Sequence, residues 1–94
     1  MNIRQIDKAK VGRAVNAWVQ AHVAPYDSNR ERKTAQDEAD ATLDTVLVAE
    51  GVYGPDDEAY FEVGAAHDHG IVAVFLEDKA LNITGQGEIE EFRV

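Results

Sequence analysis

The chain has no cysteine. Disulfide staples, thiolate zinc sites and cysteine nucleophiles are therefore excluded. Serine is almost as scarce. Ser28 is the only one, it stands where a helix cap is wanted, and no base is spaced to activate it. No glycine-rich phosphate loop follows a strand, since Gly85-x-Gly87 is too short. Paired acids such as Glu90-Glu91 are too common to signal acid–base chemistry. A non-catalytic protein without a cofactor is expected. No apolar run approaches membrane-spanning length. The opening Met1-Asn2-Ile3-Arg4-Gln5 is broken by charge too soon for a secretory signal. The expectation is a cytoplasmic protein without a membrane partner.

Basic residues are also few, and they are unevenly placed. The net charge is −9, from 9 Lys/Arg against 18 Asp/Glu. Residues 1–33 hold seven of those cations and three acids, whereas residues 34–94 hold two cations and fifteen acids. An acidic surface repels phosphate, so direct nucleic-acid binding is not expected. It attracts basic proteins and steers them in. With 94 residues, residues 1–94 form one domain, and a domain of that size gains from oligomerisation because it buries a modest share of its surface.

What is present reads as α+β. Residues 3–23 carry Ile3, Ile6, Val11, Ala14, Val15, Trp18, Val19 and His22 at helical spacing, with Asn2 and Gln5 in capping-box positions and Pro25 as the stop. Gly12 inside this helix costs about 1 kcal/mol against alanine and marks a close crossing by another backbone. A second helix has two possible starts, the capping boxes Ser28-x-x-Glu31 and Thr34-x-x-Asp37. Arg30, Arg32 and Lys33 sit badly in a first turn, which favours Thr34 as the firm start. Ala35, Ala39, Leu43, Val46 and Leu47 make its apolar stripe, and Gly51 ends it.

Strands follow a turn-rich loop over residues 51–58. Residues 59–66 alternate, His67-Asp68-His69-Gly70 is a hairpin loop, and Ile71–Glu77 is a central strand apolar on both sides. Asp78-Lys79 turns into a third strand over Ala80–Gly85. Glu88–Val94 is a fourth, where Ile89 and Phe92 fall out of period two and suggest a bulge. Hairpin loops of even length pair Val63 with Val74, Phe61 with Leu76, Leu76 with Leu81 and Val74 with Ile83. One face then reads Phe61, Val63, Ala65, Val72, Val74, Leu76, Leu81 and Ile83, fit for helix cover. The other carries Tyr60, Ile71 and Phe75 as an apolar island among Glu62, Gly64, Ala66, Ala73, Asn82 and Thr84. The fold expected is an open-faced two-layer sandwich, two N-terminal helices on one face of a three- to four-stranded antiparallel meander (ααββββ).

Three functional readings follow. The first is a small acidic inhibitor of the phage or accessory-gene type, which binds a basic protein surface through Asp37, Glu38, Asp40, Asp44, Asp56, Asp57 and Glu58. Carboxylates spaced this way can imitate nucleic-acid phosphates. The second is a homo-oligomer, in the simplest case a dimer, joined through Tyr60, Ile71 and Phe75. The third is a metal or small-ligand binder using His67 and His69, two i, i+2 histidines, with His22 or an acid as third ligand. Turn chemistry accounts for the His67–Gly70 stretch without a metal, and a helix C-terminus accounts for His22. The acids lack the alternate spacing and central glycine of a calcium loop.

Overall fold

The computed structural model describes residues 6–64 and 70–92. Two helices, α1 (Lys8–Val23) and α2 (Asn29–Ala49), precede four strands, β1 (Tyr60–Val63), β2 (Ile71–Phe75), β3 (Ala80–Thr84) and β4 (Ile89–Phe92). The sheet is an antiparallel meander in the order β1-β2-β3-β4. This is the ααββββ sandwich that the patterning predicts.

Helix α1 begins later than residue 3. Asp7 is the cap, and its Oδ1 accepts from the backbone N–H of Lys10 at 3.1 Å. Ile6 just before the cap and Val11 four positions into the helix are both buried in the core, in the places of a hydrophobic staple. The hydrophobic staple is what distinguishes Asp7 from the expected Asn2 capping box; Asn2, Ile3 and Gln5 lie outside the described residues. Val11, Gly12, Ala14, Val15, Trp18 and Val19 form the buried face. At the other end the Ala21 carbonyl accepts from the Tyr26 hydroxyl at 2.7 Å and the Gln36 amide at 3.5 Å. Those donors satisfy a carbonyl that the helix end leaves without an intrahelical partner.

Helix α2 starts at Ser28, not at Thr34. The Ser28 hydroxyl accepts from the Glu31 N–H at 3.1 Å, and its carbonyl from Arg32 N–H at 3.2 Å. Cap and N3 glutamate outweigh the unfavourable basic residues, which stay exposed; Lys33 pairs with Asp37 one turn on at 3.0 Å. Gly51 ends the helix in the left-handed conformation (φ 80°), with Gly51 N–H to Val48 and Val52 N–H to Leu47 closing a Schellman motif. Only Leu43 and Leu47 of α2 are fully buried. Helix α2 lies along α1, linked to it from Gln36 through Asp40 to Glu50, and α1 is the helix that lies on β2 and β3.

The strands pair two residues out of the expected register, Val63 with Val72, Phe61 with Val74, Val74 with Leu81 and Val72 with Ile83. The β2–β3 turn is Glu77-Asp78, closed by Leu76 N–H to Lys79 carbonyl at 2.9 Å, instead of Asp78-Lys79. A shift of two leaves every side chain on its expected face. Val72, Val74, Leu81 and Ile83 are accordingly buried with Trp18, Val15 and Leu43 in one core cluster. Val63 is the exception on this face. It is 48% exposed, because β1 is an edge strand and α1 covers the two central ones. Ala65 and Ala66 lie outside the described residues. Strand β4 pairs regularly from Ile83–Ile89 to Ala80–Phe92, without the expected bulge. Its two large apolar residues break period two because Ile89 packs into the core and Phe92 belongs to the opposite face.

The crossing at Gly12 is present. A Cβ there would collide with the Gly85 carbonyl and crowd the Gly87 N–H in the β3–β4 turn. One turn along α1, Asn16 Nδ2 donates to the same Gly85 carbonyl at 3.2 Å. One turn back, Gly87 sits against the Lys8 carbonyl, and Lys8 Nζ meets Glu88 at 3.4 Å. The stripe Lys8-Gly12-Asn16 is thus the seat of the β3–β4 turn, and it sets how α1 lies on the sheet.

Candidate functional site

The acids of the second half divide into two groups with different tasks. On α2, Asp40 Oδ1 accepts from the Trp18 indole N–H at 2.6 Å and lies 3.2 Å from His22 Nε2. The His22 ring stacks on Trp18 with centroids 4.1 Å apart. Asp44 accepts from the Tyr53 hydroxyl at 2.6 Å. A buried indole or phenol needs an acceptor, and these two carboxylates supply it between α1, α2 and the loop after α2. Asp37 is held by Lys33. Glu38 is exposed and has no ion-pair partner among the described residues. Glu50 at the end of α2 closes the helix pair, accepting from Asp7 N–H at 2.8 Å with Lys10 Nζ at 3.9 Å.

The phenol of Tyr53 carries a pH consequence. Burial, then the hydrogen bond and charge of Asp44, then the charge of Asp57, push its pKa well above the ordinary value of 10.0. The unfolded chain releases this proton above about pH 10, whereas the folded chain keeps it. The unfolded state then binds fewer protons, so stability falls as pH rises past that point, by about 1.4 kcal/mol per pH unit, and is intact below it. Tyr53→Phe removes this slope. Urea midpoints followed from about pH 9 to pH 11 should fall more steeply for the wild type than for the variant; parallel curves would contradict the assignment.

The loop acids form the second group. Residues 51–58 and the β2–β3 turn face each other across an open groove of about 1410 Å³. Asp56, Asp57 and Glu58 line it from one side, Glu77 and Asp78 from the other, and Lys79 is its one cation. Val48, Val52, Tyr53 and Leu76 give it apolar walls. Asp57 is partly engaged, since its Oδ2 accepts from Gly54 N–H at 2.7 Å and shapes the loop. The other four acids make no hydrogen bond or ion pair among the described residues. Glu77 and Asp78 are groove residues that a reading of the sequence by segments misses. The turn between two apolar strands was their signal, because it brings them to the sheet end where residues 55–58 arrive.

Tyr60 joins this groove to the uncovered sheet face. It lines the groove, is 69% exposed, and pairs with Phe75. From there a row runs Tyr60–Phe75–Ala80–Phe92, with Phe75 and Phe92 edge-to-face at 6.2 Å. The next row is Glu62–Ala73–Asn82–Glu90. Ile71, Ala73, Phe75, Asn82 and Phe92 surround a cleft of about 270 Å³ on this face. The expected interface trio Tyr60, Ile71 and Phe75 therefore shares one surface, with Phe92 as an added member.

Comparison with protein-family models, with curated proteins and with solved structures finds no match to this chain. Function therefore rests on the surfaces themselves. Among the described residues, no three His, Asp or Glu side chains converge to hold a metal ion, and no helix is long and apolar enough to cross a membrane. His67 and His69 lie outside the described residues.

Proposed function

We propose that this chain is a non-catalytic, acidic protein-binding module of the cytoplasm, a small inhibitor of the phage or accessory-gene type that engages a basic surface of a partner protein. The observation that carries this reading is the groove lined by Asp56, Glu58, Glu77 and Asp78 from two separate loops, with Lys79 as the one cation of its lining. The groove thus presents charge mostly of one sign, with no ion-pair partner for Asp56, Glu58, Glu77 or Asp78 among the described residues. A cationic partner complements it, and its approach is accelerated by the long-range field of a chain of net charge −9. Carboxylates presented this way resemble phosphates, so a nucleic-acid-binding protein is a fitting partner class. Neither cofactor nor direct nucleic-acid contact enters the reading.

The test is capture from extract of the native host by the immobilised protein and by a variant with Asp56→Asn, Glu58→Gln, Glu77→Gln and Asp78→Asn. The reading expects basic proteins to be retained by the wild type and lost from the variant. They should also be lost at about 1 M salt, where the screening length falls to ~3 Å. Capture that survives both treatments would contradict it.

A further inference from the structure

The uncovered sheet face has a charge pattern that selects among its possible occupants. Its middle row places a carboxylate at each edge, Glu62 on β1 and Glu90 on β4, with Ala73 and Asn82 between them. Both glutamates are exposed, and neither has an ion-pair partner among the described residues. No Lys or Arg stands at any strand position of this face among the described residues. A second copy laid face to face would oppose carboxylate to carboxylate at both edges, so self-association is disfavoured where cationic contact is favoured.

We propose that this face receives a basic segment of the partner protein, laid across the strands with two cationic side chains four residues apart. The proposal deepens the basic-partner reading and rests on it. The spacing follows from geometry. Glu62 and Glu90 are separated by three inter-strand gaps of about 4.8 Å, or ~14 Å. Four residues of extended chain span about 13 Å and point to the same side at i, i+2 and i+4. The outer two cations then meet the two carboxylates. The central residue enters the cleft over Ala73, beside Phe75 and Phe92. Arginine suits the edges better than lysine, since its planar fork pairs with a carboxylate while its face lies on an aromatic ring.

The probe is a labelled, end-blocked peptide Arg-Thr-Val-Thr-Arg, its affinity followed by fluorescence anisotropy with the intact protein. Its control has the same composition with the arginines adjacent. The proposal expects saturable binding, several-fold weaker for the control. It expects Glu62→Gln and Glu90→Gln each to weaken binding about threefold, in the range of exposed ion pairs. Ala73→Leu, which fills the cleft from an uncovered face, should abolish binding while the melting curve shows a folded protein. Four results would overturn it. The first is no binding to the wild type up to millimolar protein. The second is equal binding of the adjacent-arginine control. The third is binding lost with the four groove substitutions yet kept by both glutamate variants, in which case the basic partner stands and this face is not its seat. A stable dimer by light scattering that the peptide fails to dissociate would assign the face to a second copy instead.

Discussion

Trp18→Ala is expected to remove about 3–5 kcal/mol of stability, the cost typical of deleting a fully buried large aromatic. A chain of 94 residues holds only about 5–14 kcal/mol in total, at 0.05–0.15 kcal/mol per residue. The variant should therefore lose a large share of that total. Trp18 is 1% exposed and joins every layer of the fold. It packs in the core beside the strands, meets Phe61 edge-to-face at 6.2 Å, stacks on His22 and donates to Asp40 on α2. Truncation leaves a cavity at that junction and takes the indole donor from Asp40. Trp18→Phe keeps much of the volume and loses the donor; half-exposed Asp40 can then bind water, so a loss of about 1–2 kcal/mol is expected. Urea unfolding followed by circular dichroism measures both, since the only tryptophan is the residue removed. Equal, small losses would contradict the central placement of the indole.

Gly12→Ala carries the second large effect, and its sign separates two arguments. Helix propensity alone predicts a gain of about 1 kcal/mol, because glycine is costly inside a helix. The structure predicts a net loss of about 1–2 kcal/mol, since an overpacked contact against backbone lies at the upper end of about 1–3 kcal/mol and the helix gain offsets about 1 of it. The added Cβ meets backbone, the Gly85 carbonyl and Gly87 N–H, and backbone in a tight turn cannot rotate away. Relief requires α1 to lift from the turn, which stretches the Asn16–Gly85 hydrogen bond and opens the packing of Val11 and Val15 on the sheet. A lower urea midpoint with an unchanged slope is the expected result. A raised midpoint would mean that α1 does not cross the turn at this point.

Gly12 also shows what was legible in the chain before its structure. A glycine in an otherwise regular amphipathic helix has few explanations, and the close crossing among them is the one present. Element order and the division of the strands into a covered and an open face were legible for a similar reason. Alternation of Phe61, Val72, Val74, Leu81 and Ile83 survives any even shift in register. The register itself was not legible, because the length of the β1–β2 loop and the position of the β2–β3 turn are not encoded by alternation. The start of α1 was misplaced because Ile3 and Ile6 continue the helical spacing upstream of Asp7. Spacing says which residues share a side, not where the backbone becomes helical.

The acids were the least legible part. Asp37, Asp40 and Asp44 lie in a row that the sequence offers as an acidic surface for a partner. Asp40 and Asp44 instead flank the Ala39-Leu43-Val46 stripe, close enough to α1 and the following loop to accept from Trp18 and Tyr53. The available signal was the donors. One tryptophan and one tyrosine placed in apolar stretches each require an acceptor once buried. Glu62, Asn82 and Glu90 were separate residues on separate strands until the ladder aligned them in one row.

The proposed recognition surfaces are the groove and the open sheet face, while Asp40 and Asp44 of α2 accept from the core donors Trp18 and Tyr53. Amide chemical shifts of the intact protein, recorded as the Arg-Thr-Val-Thr-Arg peptide is added, test this division most directly. Shifts are expected to concentrate at Glu62, Ala73, Asn82 and Glu90 and their neighbours Phe75 and Phe92, with Asp40 and Asp44 unmoved. Shifts centred on residues 37–44, or spread evenly over every acidic residue, would contradict it.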